Sequence, residues 1–171
     1  MNTYIQIIVD FINRIGITCI PQKLAHNTFL PGIDIQNGAI LFDPEYMIFP
    51  ADLLHEAGHL AVLLPEDRQK ACSPDKLFGD LQEIGAELGA IAWSWAAITE
   101  LSLPHEIVFH PTGYRGSSES YITNFSNGCY IGDELLQWMN MTLVNRHNRT
   151  NHVEIYPKMT NWLRPEKADL S

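Results

Sequence analysis

The apolar positions of the first segment are spaced three and four residues apart and extend up to Gly16: Tyr4, Ile7, Ile8, Phe11, Ile12 and Ile15. This spacing places them on one side of a helix, and a glycine after the last apolar position favours its end. The pattern therefore predicts an amphipathic helix at the start of the chain.

Short runs of β-branched and aliphatic residues come next. Residues 17–20 form one run, which ends at Pro21, and residues 32–36 and 39–42 lie on either side of Asn37-Gly38. An Asn-Gly pair between two such runs is typical of a hairpin closed by a type I′ turn. We expect a small antiparallel sheet before residue 45.

Two longer helices follow this sheet in the pattern. Pro50 is typical of a first helical turn, and Pro65 predicts that the helix ends near residue 64. Asp80, with Glu83 three residues later, resembles a capping box, which predicts a third helix that runs to about Leu101. These two helices carry most of the chemistry discussed below.

The third helix includes residues 88–99, an uncharged stretch of 12 residues. This is well short of the roughly 20 apolar residues that span a bilayer, so it indicates a buried helix. Beyond it, Ser117 predicts the cap of a short helix that stops at 127–128, and Asp133 predicts the cap of another that ends near Met139.

Composition indicates one domain. The chain has 171 residues, 46% of them hydrophobic, which is enough for a single core, and no biased tract separates two folded regions. We therefore expect one α+β domain over residues 1–145, in which a small sheet packs on helices. Residues 146–171 are expected to form a weakly basic extension that packs on the domain or trails it.

Net charge, cysteine content and the N-terminal sequence each indicate what kind of protein this is. The net charge is -9, the wrong sign for a protein that binds nucleic acid through its phosphates. The three cysteines contain no CxxC pair, which suits a reducing compartment. The N-terminus has no basic region, no small-residue cleavage site and an acidic residue at Asp10, unlike a secretion signal, so a cytoplasmic location without a membrane anchor is expected.

The pentapeptide HEAGH at 55–59 is an HExxH motif on the second helix. Residues four apart share one helix face, so His55 and His59 can bind the same ion, with one zinc ion expected per chain. Glu56, beside the first histidine, can reach a water on that ion and act as a general base. The motif thus predicts a hydrolytic site.

The residues around the motif are apolar, so this helix is expected to be largely buried: Leu53, Leu54, Leu60, Ala61, Leu63 and Leu64. Buried histidines and a glutamate need partners, and a cation satisfies all three. Gly58 lowers helix propensity by about 1 kcal/mol relative to alanine, which indicates close approach by another element or by a ligand.

A catalytic zinc ion usually has three protein ligands. No third histidine follows the motif closely, so a carboxylate of the third helix is the common alternative, and Glu83 and Glu87 share one face of that helix. Glu87 precedes a long apolar run, where an unpaired carboxylate is costly. We predict Glu87 as the third ligand, with Glu83 as the alternative or as a hydrogen-bond partner of a ligand.

His55, Glu56, His59 and Glu87 together resemble the zincin metallopeptidases, and among them the gluzincins, which add a downstream glutamate to HExxH. A hairpin before the motif helix and a glutamate-bearing helix after it resemble the compact ImmA/IrrE-type bacterial metallopeptidases over about residues 1–100. The resemblance implies a zinc metallopeptidase in which the motif glutamate activates water for hydrolysis of a protein or peptide.

Residues 104–142 match no motif, but a glycine-flanked loop there carries His110, Tyr114 and Arg115. These side chains are candidates for stabilising the oxyanion of a tetrahedral intermediate. Side chains that merely pack at the surface are the common alternative for such a loop.

Two other functions remain open. The motif could belong to a catalytically inactive, metal-stabilised module that binds a protein through residues 104–142. A metal-dependent hydrolase of other substrates is also compatible, because activation of water is not specific to amides. A structural site would be closed by four protein ligands, whereas a catalytic site leaves a position open.

Overall fold

A computed structural model describes residues 3–73, 80–144 and 155–166. These residues form a three-stranded sheet and six α-helices, and two single turns of 3₁₀-helix lie at His105–Ile107 and Tyr114–Gly116. The α+β class is therefore confirmed. In chain order the elements are α1 (Thr3–Arg14), β1 (Cys19–Pro21), β2 (Ile33–Gln36), β3 (Ala39–Phe42), α2 (Asp52–Val62), α3 (Pro65–Arg68), α4 (Asp80–Glu100), α5 (Ser118–Ser126) and α6 (Asp133–Trp138).

The first helix and the hairpin agree with the pattern. α1 buries Ile8, Phe11 and Ile12 of the predicted apolar side, whereas Tyr4 is exposed. Gly16 has a φ of 100°, a left-handed conformation that glycine adopts at helix ends. β2 and β3 pair antiparallel, and both turn residues, Asn37 and Gly38, have positive φ as a type I′ turn requires. Both predictions are confirmed.

The expectation of an antiparallel sheet is only partly right, because the sheet is mixed. The strand order is β1-β3-β2, and β1 runs parallel to β3. The chain reverses between β1 and β2 and again at the hairpin, so β1 and β3 point the same way, and β3 lies between the other two strands. The sequence pattern predicts where the chain turns, but it does not predict which strand lies in the middle of the sheet.

Helices α2 and α4 form the centre of the core. α4 matches the predicted long helix, and Trp93 and Trp95 are buried as its apolar run implied. α2 ends at Val62, two residues earlier than predicted, and Leu63 and Leu64 are extended. A residue that precedes proline avoids helical backbone, so Pro65 ends the helix before it begins α3.

The C-terminal end of α2 is capped by arginines. Arg68 donates hydrogen bonds to the carbonyls of Leu60 and Leu63, both at 2.9 Å, and to the carbonyl of Arg164 at 3.0 Å. The backbone N–H of Arg164 donates to the Ala61 carbonyl at 2.9 Å. Cations near the last carbonyls of a helix also interact favourably with its dipole.

Two predicted helix caps differ in detail. α5 begins directly after Ser117, but the Ser117 side chain makes no capping hydrogen bond. Asp133 is the first residue of α6, and Gly132 holds the cap position with a φ of 90°. A Cβ atom at Gly132 would overlap the Leu88 carbonyl, so the close contact between α6 and α4 requires glycine at position 132. The cap therefore lies one residue before Asp133, the residue that the sequence pattern favoured.

The described part of the C-terminal extension, residues 155–166, packs on the core. The Tyr156 hydroxyl donates to the Ala92 carbonyl at 2.8 Å, and the indole N–H of Trp93 donates to the Trp162 carbonyl at 2.9 Å. These residues thus contact α4, whereas residues 146–154 and 167–171 of the expected extension lie outside the described part of the chain. Among the helices that the structure describes, none combines the length and apolar character needed to cross a bilayer.

Candidate metal centre

Three side chains from α2 and α4 converge on one point. His55 and His59 lie one turn apart on α2, and their Nε2 atoms are 3.0 Å apart. Glu87 of α4 places Oε1 at 3.6 Å from His55 Nε2 and Oε2 at 3.2 Å from His59 Nε2. This group could hold a metal ion.

Small residues at the helix contact bring Glu87 to the histidines. A Cβ atom built on Gly58 would lie 2.9 Å from the Ala90 carbonyl oxygen, closer than real Cβ contacts allow. Glycine at this position therefore lets α2 approach the backbone of α4, as its unfavourable helix propensity indicated. Ala90 is one turn after Glu87, so the close contact and the Glu87 carboxylate face α2 together.

The donor atoms fit a tetrahedral ion. Zinc binds imidazole nitrogen and carboxylate oxygen at about 2.0–2.1 Å, which places neighbouring ligand atoms of a tetrahedron about 3.3 Å apart. The two histidine nitrogens are 3.0 Å apart, and each has a different Glu87 oxygen beside it, at 3.6 Å from His55 and 3.2 Å from His59, so the spacings are close to that value. Two imidazoles and a carboxylate are also a chemically suitable ligand set for zinc.

Electrostatics favour the form of Glu87 that binds cations. Burial raises the pKa of Glu87, but the hydrogen bonds and charges of His55 and His59 outweigh it and hold the pKa well below the ordinary value. For His55, burial lowers the pKa, but the nearby carboxylates of Glu87, Glu56 and Asp52 have a larger effect, so the pKa of His55 is raised. Glu87 is thus ionised and ready to coordinate a cation.

Glu56 lines the same cavity as these donors, and no described residue forms a hydrogen bond with its carboxylate. Its residue surface is only 6% exposed. Among the described residues, no fully buried side-chain oxygen lacks a hydrogen bond, so the Glu56 oxygens must reach the adjoining cavity. The structure therefore leaves the carboxylate free to contact a molecule in that cavity.

Tyr114 contacts the opposite side of the His55 ring. Its hydroxyl oxygen is 3.3 Å from His55 Nδ1, and its ring stacks on Phe109 at 4.9 Å between centroids. Tyr114 has a φ of 52°, a left-handed conformation that is unusual for a bulky residue and concentrates at functional sites. Burial, together with nearby carboxylates, raises the pKa of Tyr114 well above its usual value, so the hydroxyl keeps its proton.

His110 is held from both ring nitrogens. Nε2 is 3.1 Å from Asp52 Oδ1, Nδ1 is 2.9 Å from Thr112 Oγ1, and the ring stacks on Phe49 with centroids 3.7 Å apart. Both nitrogens therefore have partners in the protein. A role in positioning the loop therefore agrees better with these contacts than donation of a hydrogen bond to a substrate.

Asp52 is a residue of this site that the sequence did not single out, because an acidic residue in the first turn of a helix is common. It precedes His55 by three residues, so it lies on the same face of α2, and that spacing was the available signal. The side chains of Glu83 and Arg115 lie outside the part of the chain that the structure describes, and their candidate roles stay predictions.

The histidines, Glu56, Glu87 and Tyr114 line one cavity with a volume of about 860 Å³. This is within the size range of small-molecule and substrate sites. Comparison with known protein families, curated proteins and solved structures gave no match for this chain. The zincin-like arrangement and the likeness to ImmA/IrrE-type metallopeptidases therefore stay predictions from the sequence.

Proposed function

We propose that this protein is a zinc-dependent hydrolase that cleaves peptide bonds. The observation that carries the proposal is the position of Glu56, a carboxylate without a hydrogen-bond partner among the described residues. It borders a cavity that is also lined by two histidines and a glutamate that could hold a metal ion. The same four residues carry the resemblance to the gluzincins.

His55, His59 and Glu87 would hold the ion. When bound, zinc supplies a Lewis acid that polarises a carbonyl oxygen and lowers the pKa of a water molecule. The contact between Tyr114 and His55 supports this assignment, because a ligand histidine normally places its second ring N–H against a hydrogen-bond acceptor. The Tyr114 oxygen, 3.3 Å from His55 Nδ1, would be that acceptor.

Glu56 would act as the general base. Its carboxylate accepts a proton from the attacking water and later delivers a proton to the leaving amine, as general acid–base catalysis by a single carboxylate requires. The neighbouring position on α2 keeps Glu56 close to the site of attack without making it a ligand. Loss of such a group lowers turnover by about 10²–10⁴-fold.

Tyr114 would donate to the developing oxyanion. With an ion on Nε2 of His55, Nδ1 would carry the proton and the Tyr114 oxygen would accept it, which would leave the Tyr114 O–H free to point toward the cavity. The raised pKa of Tyr114 keeps that proton in place. His110 and Asp52 would position the loop, because their contact ties residues around 110 to the first turn of α2.

Hydrolysis agrees better with the cavity than the binding-module alternative does. A purely structural metal site is normally closed by four protein ligands. In the part of the chain that the structure describes, three residues form the donor group, and a cavity adjoins them. This arrangement leaves room for water and for a substrate.

Metal content is the first test. We expect elemental analysis of the purified protein to find close to one zinc ion per chain, and zinc to raise the melting temperature of metal-free protein. Glu87→Gln should weaken zinc retention more than Glu83→Gln. A protein that neither contains zinc nor responds to it would overturn the metal site, and the reverse order of the two variants would assign the third ligand to Glu83.

Catalysis is tested separately with Glu56→Gln, and with Glu66→Gln on the exposed part of α3 as the matched control. Cleavage of a peptide mixture digested from a whole proteome should be lost in Glu56→Gln while zinc content stays at the wild-type level. The control should cleave like the wild type. Equal cleavage by all three proteins, or no cleavage by the zinc-loaded wild type, would refute the peptidase proposal.

A further inference from the structure

One wall of the cavity is apolar and partly exposed. Phe29, Leu30, Pro31, Ile48 and Phe49 form this apolar wall, from the segments that precede β2 and α2. Phe29 is 66% exposed and Ile48 is 63% exposed, so both lie at the rim. Exposed large apolar side chains that border a cavity are typical of binding sites.

The charges around the cavity indicate which group this wall receives. Apart from two tyrosines, the ionisable residues among the described lining are three histidines and the carboxylates of Asp52, Glu56 and Glu87. None of the lining residues that the structure describes is a lysine or an arginine. An anionic group would therefore find no fixed protein cation there, whereas an uncharged apolar side chain would bury surface against the wall.

Phe29 also borders a second cavity, of about 460 Å³. The lining of that cavity is mainly polar, with the side chains of Gln22, Lys23, Asn27, Asp34, Gln36 and Ser73. The two cavities thus share Phe29 as a common wall. A ligand that lies against the apolar wall and continues past Phe29 would meet polar groups next.

We propose that the substrate is an extended polypeptide that places a bulky apolar side chain against the apolar wall and continues past Phe29 into the second cavity. A chain with an apolar residue followed by polar ones matches this change of lining, whereas a single small molecule would use one cavity only. The inference rests on the proposed peptidase function and specifies its substrate.

The experiment compares cleavage of a proteome-derived peptide mixture by the wild type, Phe29→Ser, Ile48→Ser and the control Ile131→Ser. Ile131 is 41% exposed and does not line either cavity. Peptides cleaved by the wild type should be enriched in Phe, Leu, Ile or Met at one fixed position relative to the cleaved bond. The two wall variants should reduce kcat/KM for such peptides by about tenfold or more, whereas the control should not.

A synthetic peptide chosen from the cleaved set tests the second cavity. Removal of the residues beyond the apolar side chain should lower kcat/KM by about tenfold in the wild type and much less in Phe29→Ser. Cleavage without residue preference, an unchanged preference in both wall variants, or no effect of peptide length would overturn the proposal.

The failure of the peptidase function would be recognised separately. If the zinc-loaded wild type cleaves no peptide, the peptides retained by Glu56→Gln from the same mixture are sequenced. Retention of apolar peptides that is lost in Phe29→Ser would support the apolar wall as a binding site in a protein that is not a peptidase. Retention without that dependence, or no retention, would overturn the inference as well.

Discussion

The contact between Gly58 and Ala90 makes Gly58→Ala a sharp test of how the fold positions the donor atoms. The added Cβ would lie 2.9 Å from the Ala90 carbonyl oxygen, 3.2 Å from Ala90 Cα and 3.3 Å from an indole carbon of Trp93. Two of these atoms belong to the backbone of α4 and cannot rotate away. The helices must therefore separate by a few tenths of an ångström or more.

The expected loss follows from two opposing effects. Overpacking of a core contact costs about 1–3 kcal/mol, and replacement of glycine by alanine within a helix recovers about 1 kcal/mol. We expect Gly58→Ala to lower the free energy of unfolding of metal-free protein by about 1 kcal/mol, with about 2 kcal/mol as the upper end. Movement of α4 also moves Glu87 away from the histidines, so zinc affinity should fall by about tenfold.

Gly85→Ala is the matched control, because it lies on the same helix as Glu87 and a Cβ there meets no atom of another described element within 4 Å. It should gain up to about 1 kcal/mol of stability and keep wild-type zinc affinity. Urea unfolding in the presence of a chelator and competition with a zinc indicator measure the two quantities. A Gly58→Ala protein that is at least as stable as Gly85→Ala and binds zinc equally well would refute the reasoning.

Three further changes test other parts of the structure. Arg68→Met leaves the carbonyls of Leu63 and Arg164 without the donors seen here, so urea unfolding should show a loss of about 2–4 kcal/mol, whereas Lys70→Met, at an exposed position nearby, should change little. Tyr114→Phe should retain zinc but lower kcat by about 10²–10³-fold with little change in KM, and an unchanged kcat would remove Tyr114 from the mechanism. Burial raises the pKa of Cys19 from 9.0 to about 12. Below pH 9 the thiol is neutral in both the folded and the unfolded chain. Between pH 9 and 12 only the unfolded chain loses the proton, so the free energy of unfolding declines by about 1.4 kcal/mol per pH unit. Chemical unfolding between pH 7 and 11 should therefore decline less steeply for Cys19→Ala than for the wild type, and parallel curves would contradict the assignment.

The local sequence pattern was sufficient to predict the elements that depend only on neighbouring residues. The spacing of apolar residues in α1 and the Asn37-Gly38 turn each depend on neighbouring residues, so both could be predicted from the sequence. Glu87 was also singled out from the apolar run that follows it, but its side chain is 46% exposed, so burial alone does not require its two histidine partners. The structure places this carboxylate at 3.2 Å and 3.6 Å from the two histidines.

Features that depend on distant parts of the chain could not be predicted in this way. The position of β3 between β1 and β2 depends on how the strands assemble, which no single run of residues encodes. Asp52 and His110 are 58 residues apart, and each has an ordinary local explanation, one as a first-turn acid and the other as a loop residue. Only the tertiary contact shows that they hold the loop against α2.

The donor group and the core share the same pair of helices, and this has an energetic consequence. His55 and His59 come from α2 and Glu87 from α4, and these two helices pack together at the centre of the core. An ion bound by both helices would bind the folded chain far better than the unfolded one, so its binding free energy would add to the stability of the fold. The reverse also follows: any change that separates α2 from α4 lowers metal affinity, even when no ligand is touched. Stability and metal retention should therefore fall together in core variants at this contact, whereas Glu56→Gln, which lies outside the donor group, should separate activity from both.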